Sequence, residues 1–205
     1  MNIVVCVKRV PDPSEAKIDR KTNTIVREGV KNITNPFDMY AIEEAVRLKE
    51  AHGGKVTVVS MGPPQSEESL KEAISMGADD AVLISDRALA ASDTWATSLA
   101  LAAAIQKIGE TDIVLCGREA IDGDTGQVGP GIAEKLGIAH VTYVRKICEV
   151  ENDYVIAERM VEEGYQVVRA SLPVLLTVVK DINEPRLPSL KGMMRATKSK
   201  ITVWG

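Results

Sequence analysis

The sequence has few aromatic residues, and this shortage argues against one class of function. Of its 205 residues, one is Phe, four are Tyr and two are Trp, and they are scattered along the chain. Proteins that stack the bases of single-stranded nucleic acid need aromatic rings that lie together. The formal net charge is −4 and the pI about 5.4, so the chain lacks the basic balance typical of nucleic-acid binding. We therefore expect no nucleic-acid partner.

Histidine and cysteine are also scarce. His52 and His140 are the two histidines, which leaves little material for a His-based catalytic triad or a metal site. Cys6, Cys116 and Cys148 lie far apart, each within an apolar run. Such a set suggests reduced, buried thiols in a cytoplasmic protein rather than disulfides. We predict no metal site and assign no catalytic residue.

Long apolar runs are absent. No stretch approaches the ~20 apolar residues that are needed to cross a bilayer. Residues 1–8 lack the charged start, the long apolar core and the small-residue cleavage site of a secretory signal peptide. We expect a cytoplasmic protein with no membrane insertion.

Strand and helix patterns alternate through the first two-thirds of the chain. Apolar runs rich in β-branched residues predict four buried parallel strands: Ile3–Val7, Val56–Ser60, Ala81–Ile84 and Ile113–Cys116. Amphipathic stretches with capping residues predict the helices that follow: one that begins at Asn35-Pro36, with Asn35 as its cap, then Glu67–Met76, Thr94–Ile108 and Gly131–Leu136. This order is typical of an α/β fold with a doubly wound, mostly parallel sheet of the Rossmann-like, adenine-nucleotide-binding type.

The last third of the chain has a different pattern. Strand-like segments follow one another with turns between them: Thr142–Val150, Tyr154–Arg159, Gly164–Ser171 and Val174–Val179. They predict a late antiparallel element that stands beside the main sheet or extends it. From Lys180 onward, six basic and two acidic residues give a net charge of +4, whereas the rest of the chain carries −8.

The loop after the fourth predicted strand, Gly117–Gly129, is the strongest candidate ligand site. Ligands of open parallel sheets bind at the carboxyl ends of the strands. Gly123, Gly126 and Gly129 let the backbone approach a ligand closely, and the helix N-terminus that follows suits a pyrophosphate. Thr125 and Gln127 add neutral hydrogen-bonding groups. The alternative is a solvated turn, but this loop exceeds the usual two to six residues.

The same loop lacks two known phosphate-binding patterns. It has neither the G-x-G-x-x-G order of a dinucleotide fingerprint nor the G-x-x-x-x-G-K-[ST] order of a phosphate loop. Asp122 and Asp124 would repel phosphate unless they face a ribose or a backbone cap. The loop also has no lysine to act in phosphoryl transfer. Nucleotide binding is therefore better supported than phosphotransferase activity.

Two shorter segments, Met61–Pro64 and Ser92–Ser98, follow other predicted strands. Each is explained on its own as helix punctuation, a turn or an N-cap. Because they share a sheet edge with the glycine loop, we expect all three to line one pocket. Thr94 and Thr97 are spaced to face the same side of the first helical turn, whereas Trp95 is predicted equally well as a packing residue or a cofactor contact.

Several motifs match one protein family. The most specific are Ala157–Val168 (AERMVEEGYQVV) and Leu172–Thr177 (LPVLLT). The others are Val7–Val10, Asn35–Phe37 ahead of Ala41–Lys49, Gly77–Asp79, Gly117–Asp122 and Asn183–Arg186. On these residues the chain resembles the small (beta) subunit of electron transfer flavoproteins over essentially its whole length.

The resemblance implies a heterodimer with a larger alpha subunit that carries an electron-transferring FAD. It also implies a nucleotide within the beta subunit. Together with the loops above, it predicts these nucleotide contacts: Cys6, Asn35, Pro36, Phe37, Asp38, Met61, Asp93, Thr94, Thr97, Gly117, Arg118, Asp122, Gly123, Asp124, Thr125, Gly126, Gln127 and Val128.

The identity of that nucleotide separates two groups of the family. Met61–Pro64, Ser85–Arg87, Asp93–Ser98 and Ile121–Thr125 look like the electron-bifurcating group. The resemblance then implies FAD in this subunit, NADH as electron donor, and electrons split between a high-potential acceptor and ferredoxin. The alternative is a simple member that holds structural AMP, with FAD in the alpha subunit, and accepts electrons from acyl-CoA dehydrogenases.

The basic C-terminal segment has its own expectation. In the family, the segment after the last strand docks a partner dehydrogenase through one leucine. Leu190 occupies that place, flanked by Lys191 and Arg195. We therefore divide the chain into a nucleotide- or FAD-binding α/β domain, 1–180, and a basic recognition loop with the start of a C-terminal arm, 181–205. By composition alone, the segment is a solvated basic tail.

Two interpretations outside the family stay open at this point. One is a non-redox, nucleotide-binding regulatory domain of the universal-stress-protein type, which has the same kind of sheet. The other is a structural subunit that binds no nucleotide.

Overall fold

A nine-stranded sheet organises the chain, as seen in a computed structural model that describes residues 1–15, 17–19, 24–26 and 31–205. The strands are β1 (Asn2–Cys6), β2 (Arg9–Pro11), β3 (Lys17–Asp19), β4 (Thr24–Val26), β5 (Asn32–Thr34), β6 (Lys55–Met61), β7 (Asp80–Ile84), β8 (Ile113–Gly117), β9 (Ala139–Val150), β10 (Tyr154–Val161), β11 (Gly164–Ser171), β12 (Val174–Val178) and β13 (Thr202–Trp204). The helices are α1 (Pro36–His52), α2 (Glu67–Met76), α3 (Thr94–Ile108), α4 (Val128–Leu136) and α5 (Leu190–Lys198).

The sheet has the order β11-β10-β9-β12-β8-β1-β6-β7-β13. The pairs from β9 to β13 are parallel, and β10 and β11 add to the β9 edge in antiparallel fashion. The predicted α/β fold with a doubly wound, mostly parallel sheet and a late antiparallel element is confirmed. Outside this sheet, β2 pairs with β5 and β3 with β4, both antiparallel.

Alternate residues of the central strands pack into two separate apolar layers. From β1, Ile3 and Val5 lie in the layer that includes buried residues of α1 and α2. Val4 and Cys6 lie in the opposite layer, with residues of α3 and α4. Strands that are buried on both faces appear in the sequence as continuous apolar runs. The central strands could therefore be predicted from the sequence.

Two sequence-based expectations are wrong. Cys148 is exposed rather than buried, because it lies in the part of β9 that pairs with β10 and no longer with β12. Asn35 precedes α1, but its side chain makes no capping hydrogen bond and is used elsewhere, as described below.

The basic C-terminal segment is not a loop throughout. It forms α5, which packs against α2, and β13, which pairs in parallel with β7. An amphipathic segment anchored at both ends is more ordered than composition suggests. Among the residues described, no helix is both long and apolar enough to cross a membrane.

Candidate functional site

A cavity of about 870 Å³ opens at the carboxyl edge of the parallel sheet. It spans the ends of β1, β6, β7 and β8 and reaches the first turns of α3 and α4. The direction of strand order reverses between β1 and β8. Ligands of open α/β sheets bind at this switch point, so the cavity lies where the fold places a ligand.

Most of the predicted nucleotide contacts line this cavity: Cys6, Asn35, Asp38, Met61, Asp93, Thr94, Thr97, Gly117, Arg118, Gly123, Asp124, Thr125, Gly126, Gln127 and Val128. Pro36, Phe37 and Asp122 lie outside the lining. Pro36 begins α1, the Phe37 ring lies 4.7 Å from the Arg118 guanidinium, and Asp122 pairs with Lys8. These three residues support the wall rather than form it.

Gly117 is required by the close approach of α1 to the end of β8. A Cβ atom at this position would lie 2.7 Å from the carbonyl carbon of Phe37, closer than packed atoms tolerate. The absence of a side chain therefore lets the first turn of α1 close over the switch point.

Asp38 joins the start of α1 to two strand ends. Its Oδ2 accepts a hydrogen bond from the backbone N–H of Lys8 at 2.7 Å, and its Oδ1 accepts one from the N–H of Gly117 at 3.2 Å. Burial raises the pKa of Asp38 to about 7, although these donors and the charge of Lys8 oppose the shift. The carboxyl group thus titrates near neutrality at the wall of the cavity.

Asn35 holds the glycine loop in place. Its Nδ2 donates to the carbonyl oxygen of Glu119 at 2.8 Å, and its Oδ1 accepts from the N–H of Ile121 at 3.2 Å. These contacts replace the predicted helix cap. Because the loop is more than 80 residues away along the chain, no local pattern could have indicated them.

The N-termini of α3 and α4 meet at the cavity. Asp93 caps α3 by accepting from the N–H of Ala96 at 2.8 Å, as predicted. Thr94 Oγ1 donates to Gln127 Oε1 at 3.0 Å, which links the two helix starts. Gly126, just before α4, has a φ of +62°, a backbone conformation that glycine adopts without strain. The two ends present N–H groups and partial positive charge, which favour an anionic group.

Two of the three basic side chains in the lining form ion pairs. Lys8 Nζ lies 2.7 Å from Asp122 Oδ1, and Arg118 pairs with Glu119. Arg87 also lines the cavity. Within the described ranges its side chain has no ion pair or hydrogen bond, so it is the lining cation that remains available to an anion.

The segment between β7 and α3 contributes more of the lining than the sequence predicted. In addition to Asp93, these residues of the segment line the cavity: Asp86, Arg87, Leu89, Ala90, Ala91 and Ser92. One signal was present, since the segment follows a predicted strand at the carboxyl edge of the sheet. Its composition, however, carries no glycine pattern that marks a ligand loop.

The predicted docking residues lie away from the cavity. Leu190 is 78 % exposed, and Lys191 is also exposed. The guanidinium of Arg195 instead donates to the carbonyl oxygens of Ile74 and Ala78. Arg195 thus contacts the end of α2, and its docking role stays a prediction together with those of Leu190 and Lys191.

Comparison with known proteins identifies relatives along the whole chain. Residues 22–205 match the family model described as an electron transfer flavoprotein domain. A relative named electron transfer flavoprotein subunit beta, from Thermoanaerobacterium thermosaccharolyticum, is 56 % identical over 200 residues, covering 98 % of this chain and 76 % of the relative.

Two further relatives carry other names. Caffeyl-CoA reductase-Etf complex subunit CarD, from Acetobacterium woodii, is 51 % identical over 205 residues, which cover all of this chain and 78 % of the relative. Protein FixA, from Azorhizobium caulinodans, is 48 % identical over 210 aligned positions, with coverage of 100 % and 75 %.

Proposed function

This chain belongs to the electron transfer flavoprotein family as a beta subunit, and from that premise we propose that its cavity binds FAD. The observation that carries the proposal is a continuous cavity of about 870 Å³ that runs across four strand ends. Cavities for small molecules and cofactors span about 300–1,000 Å³, so this one is near the upper end. Membership of the family replaces the interpretation as a regulatory domain of the universal-stress-protein type.

The residues present fit such a cofactor. The N-terminal N–H groups of α3 and α4 suit the diphosphate, and Thr94, Thr97 and Gln127 supply neutral hydrogen bonds. Arg87 adds a positive charge without a partner among the residues that the structure describes. A bound flavin supplies hydride and single-electron chemistry; the chain itself orients it and screens it from water.

The extent of the cavity favours FAD over AMP. The lining includes one set of residues at the ends of β1 and β8, where the sheet's switch point lies, and a second set beyond β6 and β7, from Met61 to Pro64 and around Arg87. A mononucleotide at the switch point would leave the second set without a ligand. Structural AMP remains the second candidate.

Counting nucleotides in the purified heterodimer tests this choice. Co-expression with the alpha subunit, followed by an absorption spectrum and chromatography of the released nucleotides, should give two FAD per heterodimer. One FAD together with one AMP would rule out FAD in this cavity.

A matched pair of glycine variants tests the location. Gly126 and Gly137 lie on either side of α4 with φ values of +62° and +66°, and Gly126 lines the cavity whereas Gly137 does not. Alanine at either position costs a similar amount of backbone strain. Gly126→Ala should retain nucleotide at least about tenfold more weakly than Gly137→Ala, a difference of ~1.4 kcal/mol in binding free energy. Equal retention in both variants would contradict a nucleotide at this loop.

We also propose that the heterodimer carries out electron bifurcation. Of the two electrons that NADH gives up, one goes to a high-potential acceptor through a partner dehydrogenase and the other to ferredoxin. Support comes from the cavity size and from the similarity to CarD, which is named as part of a caffeyl-CoA reductase-Etf complex. We propose an acyl-CoA or related dehydrogenase as the partner, and the cytoplasm as the place where the two proteins meet.

A coupled assay tests bifurcation directly. Ferredoxin should be reduced by NADH only when the dehydrogenase and its high-potential substrate are both present. Reduction of the heterodimer by the dehydrogenase at full rate without ferredoxin, and no electron transfer to ferredoxin under any condition, would indicate the simple, AMP-containing type.

The C-terminal segment is proposed as the dehydrogenase-docking surface. Arg186 anchors it to α1, with its Nε 2.8 Å from Glu43 Oε2, and Arg195 anchors it to the end of α2. Leu187 and Leu190 lie between these anchors and are 90 % and 78 % exposed. Apolar anchors on a fixed segment with a basic rim suit a protein partner.

A further inference from the structure

Cys6 and Cys116 are neighbours on adjacent parallel strands. They are paired in register between β1 and β8, so their side chains leave the sheet at the same height. Both belong to the apolar layer on the α3 and α4 side. Both are free thiols. The fold thus brings together two cysteines that are 110 positions apart in the sequence.

The pair is buried but can be reached. Cys6 is 8 % exposed and Cys116 is 6 % exposed, and both line the large cavity. A small molecule that enters the cavity therefore reaches both residues, whereas Cys148 lies outside the lining and is exposed. This arrangement separates the pair from an ordinary core cysteine, which packs on all sides.

The spacing suits a bridging atom better than a direct bond. Neighbouring strands lie about 4.7–4.9 Å apart, and side chains paired in register on parallel strands keep roughly that separation. A disulfide needs Cβ atoms about 3.5–4.5 Å apart. One atom inserted between the two sulfurs spans the larger distance without moving either strand.

The protonation state of the Cys116 thiol determines which kind of reagent the pair can bind. The pKa of the Cys116 thiol is raised well above its usual value. The larger cause is a hydrogen-bonding contact with Cys6, and the second is burial. Neutral thiols react slowly with alkylating agents and disulfides, which need the thiolate. In the described part of the chain, no cluster of three or more His, Cys, Asp or Glu side chains offers a metal site, which disfavours a four-coordinate ion such as zinc.

We propose that Cys6 and Cys116 form a dithiol site for trivalent arsenicals at the wall of the cavity. An organoarsenic oxide reacts with the two thiols so that two As–S bonds form. The two S–H protons leave with the oxide oxygen as water. Arsenic stays trivalent and neither sulfur is oxidised, so no further reactant is needed. Arsenic is a soft centre that prefers sulfur ligands.

Phenylarsine oxide provides the test, on the full chain carrying Cys148→Ala and purified with its alpha subunit after bound nucleotides have been removed. The beta chain should gain one phenylarsenic group and lose two hydrogens in its intact mass. Thiol titration of the denatured beta chain should fall from two groups to none. Arsenic X-ray absorption should show two sulfur ligands.

Single variants complete the test. Cys6→Ala or Cys116→Ala leaves one thiol, so retention of the arsenical should fall by about a hundredfold or more, since the chelating second contact is lost. Unreacted thiols in the Cys148→Ala chain, or an arsenic atom with one sulfur ligand, would overturn the proposal. These two readouts need no cysteine-pair variant to fold and do not depend on which nucleotide the cavity holds.

Discussion

Asp38 illustrates how one buried carboxyl group serves several elements. It receives N–H groups from the ends of β1 and β8 while it belongs to the first turn of α1. Backbone N–H groups at strand ends need acceptors when they are buried. A short acidic side chain at the helix start satisfies both at once, and its cost is the desolvation of the charge.

Replacing Asp38 by Asn should remove a specific pH dependence of stability. Burial raises the pKa of Asp38 from 3.8 to about 7, so the folded chain keeps a proton that the unfolded chain has released. Its stabilising contribution is complete below pH 3.8 and is lost as the pH rises to about 7, by up to about 4 kcal/mol. Urea unfolding of both proteins from pH 4 to 8 should show a steeper loss of stability in the wild type than in Asp38→Asn, because burial also raises the pKa of Glu44 in both proteins.

The control is Asp112→Asn. Asp112 is another carboxyl group that accepts a backbone N–H, that of Asn2 at 2.7 Å, but at an exposed site. This variant should keep the wild-type slope between pH 5 and 7. If Asp38→Asn also kept the slope, the titration near neutrality would belong to another group.

At the scale of elements, α5 connects the C-terminal segment to the body of the fold. Gly192 faces α2 so closely that an added Cβ would lie 2.9 Å from the carbonyl carbon of Ser75. Arg195, one turn later, donates to the carbonyl of Ile74 at 2.7 Å and to that of Ala78. These carbonyls lie at the end of α2, where the regular helical hydrogen bonds stop, so α5 adds hydrogen bonds to the end of α2.

Arg195→Ala should destabilise the fold through the end of α2. Two charge-assisted hydrogen bonds are lost, and we expect the free energy of unfolding to fall by about 1–3 kcal/mol. Denaturant unfolding measures the change. Lys191→Ala removes an exposed positive charge from the same helix and should leave stability within about 0.5 kcal/mol of the wild type. Equal stability of the two variants would show that Arg195 acts only at the surface.

At the scale of the whole molecule, the proposed ligand cavity and the proposed docking segment occupy separate places. The cavity opens at the carboxyl edge of the central strands, whereas the C-terminal segment lies against α1 and α2. Electron transfer to a partner can therefore be weakened without any change in the bound nucleotide. This separation makes the two proposals independently testable.

Leu190→Ala should slow electron transfer to the partner dehydrogenase by about tenfold, the effect of losing one apolar anchor of an interface. Steady-state rates at varied dehydrogenase concentration measure this effect, and the absorption spectrum verifies that nucleotide content is unchanged. Val203→Ala truncates an exposed apolar side chain of the edge strand β13 and serves as the control. A full rate for Leu190→Ala would contradict the docking proposal.

Local patterns in the sequence were sufficient to predict the order of the main strands and helices and the loops of the candidate site. Buried parallel strands can be recognised as apolar runs in the sequence. Helix starts can be recognised from capping residues such as Asp93. The glycine loop could be found because its length and composition are local properties. For the same reason, the α/β class was predictable, and most of the residues predicted to contact a nucleotide line the cavity.

Contacts between residues that are distant in the sequence follow instead from the packing of the folded chain. Asn35 binds the glycine loop rather than capping its own helix, Cys148 is exposed, and Cys6 lies beside Cys116. The chain after residue 200 adds a strand to β7. Each of these contacts depends on how whole elements pack, and packing is set by shape and burial across the fold rather than by the pattern of neighbouring residues.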